Sequence, residues 1–100
     1  MTKAQKLAAV AELSALKDMI PTTADLWLLA EWMFKLKKAF HQYMNQNNLP
    51  EKIAGLLYAI DGGSLKIVSN ADYAKGISSA KRMLATVIAD LKATIDIVDA

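Results

Sequence analysis

One hundred residues, of which 54% are apolar or aromatic and 22% charged, with a formal net charge of +2, form a chain too oily for a disordered tail and long enough for one packed core. The absence of cysteine excludes disulfide scaffolds, thiolate metal sites and cysteine nucleophiles, and a lone histidine, His41, excludes a multi-histidine metal centre. The slight positive balance is only weak support for an anionic partner.

Alanine (17 residues) and leucine (13) dominate, and β-branched residues are sparse before position 60, which is a helix-forming vocabulary. Thr2 and Gln5 have the spacing of a capping box, so a first helix is expected from Lys3 to about Met19, stopped by Pro21. Ala4, Ala8, Ala11 and Ala15 form one small-residue stripe on it, expected to let a neighbouring backbone approach. Leu13, Leu16 and Ile20 form a second stripe, so two packing neighbours are predicted. The sequence MTKAQK has no signal-peptide pattern, and with no cysteine in the chain a cytoplasmic location is expected.

Thr22 and Asp25 offer a second capping box, with a helix expected over 23–45. At 100° per residue, Tyr43, Leu36, Leu29, Phe40, Met33 and Leu26, with Met44 and Ala30, make one continuous apolar arc. Trp27, Phe34 and His41, spaced by seven, flank it on one side; Leu28, Trp32 and Ala39 flank it on the other. The polar strip that remains (Glu31, Lys35, Lys38, Gln42) is only about 60° wide, and Lys37 falls inside the arc. A bundle helix needs an apolar stripe somewhat over 100° wide. This helix therefore either lies at the centre of the fold or is covered in part by another molecule. Its oiliest run, residues 26–34, is broken by Glu31 and falls short of the about 20 residues that span a bilayer, so no transmembrane segment is expected.

A polar loop at 45–48 leads to Pro50 near the start of a short third helix over 50–61, with Ile53, Leu56, Leu57 and Ile60 as its apolar face. Gly62 and Gly63 are expected to end that helix. Residues 65–68 fit either a short extended piece or a helical turn. Ser69 and Asp72 form a third capping box, and a last helix is expected over 70–98. On it, Ile77, Leu84, Leu91 and Val98 recur every seven residues, with Ala80, Val87 and Thr94 three later in each heptad, and with Tyr73, Ile88 and Ile95 widening the stripe. The expected fold is a single all-α domain over 1–100, an antiparallel helical bundle of three long helices and one short one.

Chemistry-bearing patterns are few. His41 has no orienting acid or second histidine beside it, so a structural or surface role outweighs catalysis. The segment DGGS at 61–64 lacks both the lysine of a nucleotide loop and a G-x-G-x-x-G fingerprint. No triad, metal-ligand spacing or carboxylate pair is assembled, and neither enzyme activity nor a cofactor is expected. Lys35, Lys37, Lys38 and His41 form one basic group, and Lys75, Lys81 and Arg82 a second, while Asp90, Asp96 and Asp99 make the C-terminal end acidic. A single arginine equips the chain poorly for reading nucleic acid.

These features point to a non-enzymatic, homo-oligomeric interaction module, such as a small adaptor, inhibitor or assembly factor, that presents a helical face to a protein partner. Phages, mobile elements and immunity systems encode many small helical proteins of this kind. The expected contact residues are Trp27, Phe34, Lys38 and His41, since aromatic and basic groups together make strong hot spots. The competing expectation is an oligomer that binds a small ligand or nucleotide in a basic pocket between subunits, through Lys75, Lys81 and Arg82 or the Lys35–Lys38 group.

Overall fold

A computed structural model describes residues 2–44 and 48–99, with side chains described through Ile95. Residues 45–47 of the expected 45–48 loop and the side chains of Asp96, Val98 and Asp99 lie outside that description. The elements run α1 (Lys3–Asp18), α2 (Leu26–Tyr43), α3 (Leu49–Leu57), β1 (Tyr58–Asp61), β2 (Ser64–Ile67) and α4 (Asn70–Asp99). The protein is mostly helical, at 76%, as its composition predicts, but a two-stranded sheet is added to the all-α expectation.

Local chemistry sets the helix starts. At α1 the capping box is complete: the Gln5 N–H donates to Thr2 Oγ1 at 3.1 Å and the Thr2 N–H donates to Gln5 Oε1 at 2.8 Å. At α2 the expected box is replaced by a simpler cap. Asp25 is itself the N-cap, its carboxylate accepting from the Trp27 and Leu28 N–H groups at 2.9 and 3.2 Å, so the helix begins at Leu26 rather than Thr23. At α4 the Asp72 N–H donates to Ser69 Oγ at 3.3 Å.

Thirty residues make α4 a rod of about 45 Å, within an elongated molecule of 52 × 22 × 17 Å. Both α1 and α3 pack on α4, and α2 packs on α1 and on α3 with little contact to α4. The second helix therefore lies at the periphery of the fold rather than at its centre. One core joins all four helices, with Leu13, Leu29, Leu36, Ile53, Leu57 and Leu84 enclosed completely. The heptad row of α4 is buried as expected at Tyr73, Ile77, Ala80, Leu84, Ile88 and Leu91.

Two packing expectations, one on α1 and one on α3, are overturned. On α1, Ala4, Ala8, Ala11 and Ala15 face solvent, while Ala9, Leu13 and Leu16 are buried. Leucine side chains remove far more apolar area from water than methyl groups do, so the leucine stripe wins the inward face. The third helix ends at Leu57, four residues early, and Ile60 sits on a strand with its side chain exposed.

Strands β1 and β2 pair antiparallel in the register Tyr58↔Ile67, Ala59↔Lys66, Ile60↔Leu65 and Asp61↔Ser64. The two-residue loop is Gly62–Gly63, with φ of 59° and 83°. Positive φ at both positions is what the twist-compatible type I′ turn requires. The glycines thus close a hairpin instead of ending a helix, and residues 64–67 take the extended alternative.

Candidate functional site

Apart from Leu7 on α1, the large apolar side chains that escape the core lie on α2, on the hairpin or at Met19 just after α1. Four of them lie on α2: Leu26, Trp27, Leu28 and Phe34. Trp27 is 86% and Phe34 70% exposed, at positions seven residues apart and so on nearly the same side of the helix. Single exposed hydrophobics are ordinary, but adjoining aromatic ones mark interaction surfaces.

The hairpin extends this surface. Its register places Tyr58, Ile60, Leu65 and Ile67 on one face and Ala59, Asp61, Ser64 and Lys66 on the other. Tyr58 and Ile67, at the base, pack on the core. Nearer the tip, Leu65 faces Leu26, Ala30 and Phe34 across a groove of about 230 Å³ floored by Leu29 and Met33, and Ile60 remains 75% exposed. Lys37, the base inside the apolar arc, borders the same groove. On the polar face of the hairpin the Lys66 ammonium and the Asp61 carboxylate pair at 3.4 Å. On the other flank of α2, Met19 and Leu28 line a second hollow with Glu31 and Lys35.

Two hydrogen bonds, one buried and one part-buried, hold this platform. The Trp32 indole Nε1–H donates to the Leu16 carbonyl at 2.8 Å, tying α2 to α1. The Tyr73 hydroxyl donates to the Pro21 carbonyl at 2.8 Å, tying α4 to the α1–α2 connection. Burial pushes the Tyr73 phenol above its ordinary range, and the negative Asp25 adds to this. Tyr43 is also raised, first by desolvation and then by its hydrogen bond to, and the charge of, Glu12 on α1.

The expected contact residues Trp27, Phe34, Lys38 and His41 all lie on the exposed side of α2, within about 60° of one another. Sequence reasoning missed Ile60 and Leu65, which the hairpin adds to the face, and Met19 at its far margin. The alternative anion-binding residues Lys75, Lys81 and Arg82 are all exposed on α4. Lys75 and Arg82 share a side, about 10.5 Å apart along the axis, and Lys81 is turned about 100° from Arg82. The shallow hollow at Arg82 is lined by α4 alone, through Ser79, Met83 and Thr86.

Among the described residues, no group of three His, Cys, Asp or Glu side chains is placed to hold a metal ion, and no helix is long and apolar enough to cross a membrane. Comparison with family models, with curated proteins and with solved structures gave no match.

Proposed function

We propose that this protein is a non-enzymatic interaction module that binds another protein chain through the outer face of α2 and the adjoining face of the β1–β2 hairpin. In this view the helices form a bundle-like scaffold in a reducing cytoplasm, a setting that the cysteine-free chain suits. The observation that carries the proposal is the solvent exposure of Trp27 and Phe34 beside Leu65, with Ile60 exposed on the same face of the hairpin. A row of aromatic side chains with an apolar margin and a polar rim of Lys37, Lys38, Glu31 and His41 has the anatomy of a protein–protein interface. Leaving it in water forgoes apolar burial worth about 25 cal/mol per Å².

The test is a double substitution, Trp27→Ala with Phe34→Ala, read by circular dichroism for the fold and by co-purification for the partner. The expected result is an unchanged helical spectrum with loss of the bound protein. An intact fold with unchanged binding overturns the proposal.

A further inference from the structure

We infer that the chain bound by this face is a second copy of the protein, docked antiparallel through α2 about a two-fold axis near Phe34. The inference rests on the interaction face proposed above and names its occupant.

The exposed row of α2 reads Trp27, Glu31, Phe34, Lys38, His41. At about 1.5 Å and 100° per residue, Trp27 and His41 lie about 10.5 Å before and after Phe34, each within about 20° of its direction. Glu31 and Lys38 lie about 4.5 Å before and 6 Å after it, on the same flank of the row. A two-fold axis perpendicular to the helix near Phe34 therefore lays the row on its own image. Phe34 then meets Phe34 of the second copy, Glu31 of each copy meets Lys38 of the other, and Trp27 of each meets His41 of the other.

An isologous interface needs this kind of self-complementarity, because every pairing occurs twice. Here it covers charge as well as shape. Among the described residues, neither Glu31 nor Lys38 makes an ion pair within its own chain, so both are available across the axis. The same acid, set between the two rings, opposes an anionic lipid surface as the occupant.

The area fits as well. Trp27 and Phe34 leave on the order of 300 Å² of ring surface in water per copy. That forms the centre of a patch which Leu26, Leu65 and the rim enlarge toward the about 800 Å² per partner of a standard interface.

The experiment is a charge exchange read by light scattering coupled to size exclusion, from micromolar to near-millimolar protein, with circular dichroism as the check on folding. The wild type is expected at twice the 10.9 kDa chain mass. Glu31→Lys sets two Lys–Lys pairs across the axis and Lys38→Glu sets two Glu–Glu pairs. Each variant alone is therefore expected to dimerise more weakly, by on the order of tenfold. Their equimolar mixture restores two Lys–Glu pairs and is expected to recover the dimer, as is the double variant carrying both changes.

A wild type that stays monomeric throughout overturns self-pairing, as does a dimer indifferent to both charge changes, or a mixture no tighter than its parts. Trp27→Ala in the same series separates this result from the fate of the face itself. A monomeric wild type that loses a co-purifying protein, or its docking on anionic vesicles, with Trp27→Ala overturns the second copy as occupant and leaves the face in use. A dimer unchanged by Trp27→Ala overturns both.

Discussion

The Trp32 indole nitrogen lies 2.8 Å from the Leu16 carbonyl oxygen, a buried hydrogen bond across sixteen residues of sequence. Trp27, five residues earlier on the same helix, is almost fully in water. Five residues turn a helix by about 140°, so the two indoles cannot share one environment. Trp32→Phe removes the bond and part of the packed ring, with an expected loss of about 2 kcal/mol. Trp27→Phe is expected to change stability by less than about 0.5 kcal/mol. Chemical denaturation of the two variants measures the difference. Acrylamide quenching checks the assignment, because the accessible emission should vanish with the Trp27 change alone.

Alkaline stability follows from the tyrosines. The phenols of Tyr73 and Tyr43 are raised above their ordinary value of 10.0, each by desolvation first and then by a nearby carboxylate, Asp25 and Glu12 respectively. In the unfolded chain these phenols ionise near pH 10. Above that pH the unfolded state binds fewer protons than the folded state, so stability falls as pH rises. The contribution is whole below pH 10 and is lost as pH climbs through the raised folded values. Melting temperature is expected to hold on the neutral side of pH 10 and to drop beyond it, and the drop should shrink in Tyr73→Phe. At neutral pH that variant is expected to lose about 1 kcal/mol through the missing bond to Pro21. A melting temperature as flat above pH 10 as below it contradicts the linkage.

Much of this fold is legible in the sequence where a signal is local or repeated. The Thr2–Gln5 box is a four-residue pattern, and α4 carries the same heptad through its length. The hairpin is a different case. Ile53, Leu56, Leu57 and Ile60 fit a helical period, and Gly62–Gly63 fits a helix stop, and those signals alone predict a helix to residue 61, although α3 ends at Leu57. Yet Tyr58, Ile60, Leu65 and Ile67 also alternate on either side of a Gly-Gly pair, which is a hairpin signal. Two periods compete over the same residues, and pairing with β2 decides the outcome. The candidate face is legible in part for a similar reason. The excess apolar width of α2 is a property of its own sequence. Which tryptophan turns inward depends on where α1 offers a carbonyl, and that is a tertiary fact.

Gly76 and Gly55 are both helical glycines with opposite expected responses to alanine. At Gly76 an added Cβ would lie 2.6 Å from the Leu56 carbonyl oxygen and 2.9 Å from the Leu57 Cδ2. The first neighbour is backbone and cannot swing away, so α3 must shift. That strain, about 1–3 kcal/mol, exceeds the gain of roughly 1 kcal/mol in helix propensity. Gly76→Ala is therefore expected to lower the melting temperature. Gly55 has nothing within 4 Å of the added Cβ, and Gly55→Ala is expected to add about 0.5–1 kcal/mol. Thermal melts of the two variants should move in opposite directions.

The hairpin loop offers a way to separate the stability of the face from its chemistry. Gly62 and Gly63 both have positive φ, and a Cβ added at either would meet no atom within 4 Å. Any penalty at these sites is thus conformational rather than steric. Asparagine tolerates the left-handed region, and Asn-Gly is a favoured pair for this turn, so Gly62→Asn is expected to keep the hairpin and the global stability. A β-branched residue there is strongly disfavoured, and Gly62→Val is expected to cost about 1–3 kcal/mol locally. Because Ile60 and Leu65 lie beyond the core-packed base of the hairpin, this loss should appear mainly as faster amide exchange across residues 59–66, with smaller changes in α4. Binding through the α2 face should weaken in Gly62→Val and persist in Gly62→Asn, since only the former removes the apolar margin beside Phe34. Equal exchange rates in the two variants would show that the loop conformation does not control that margin.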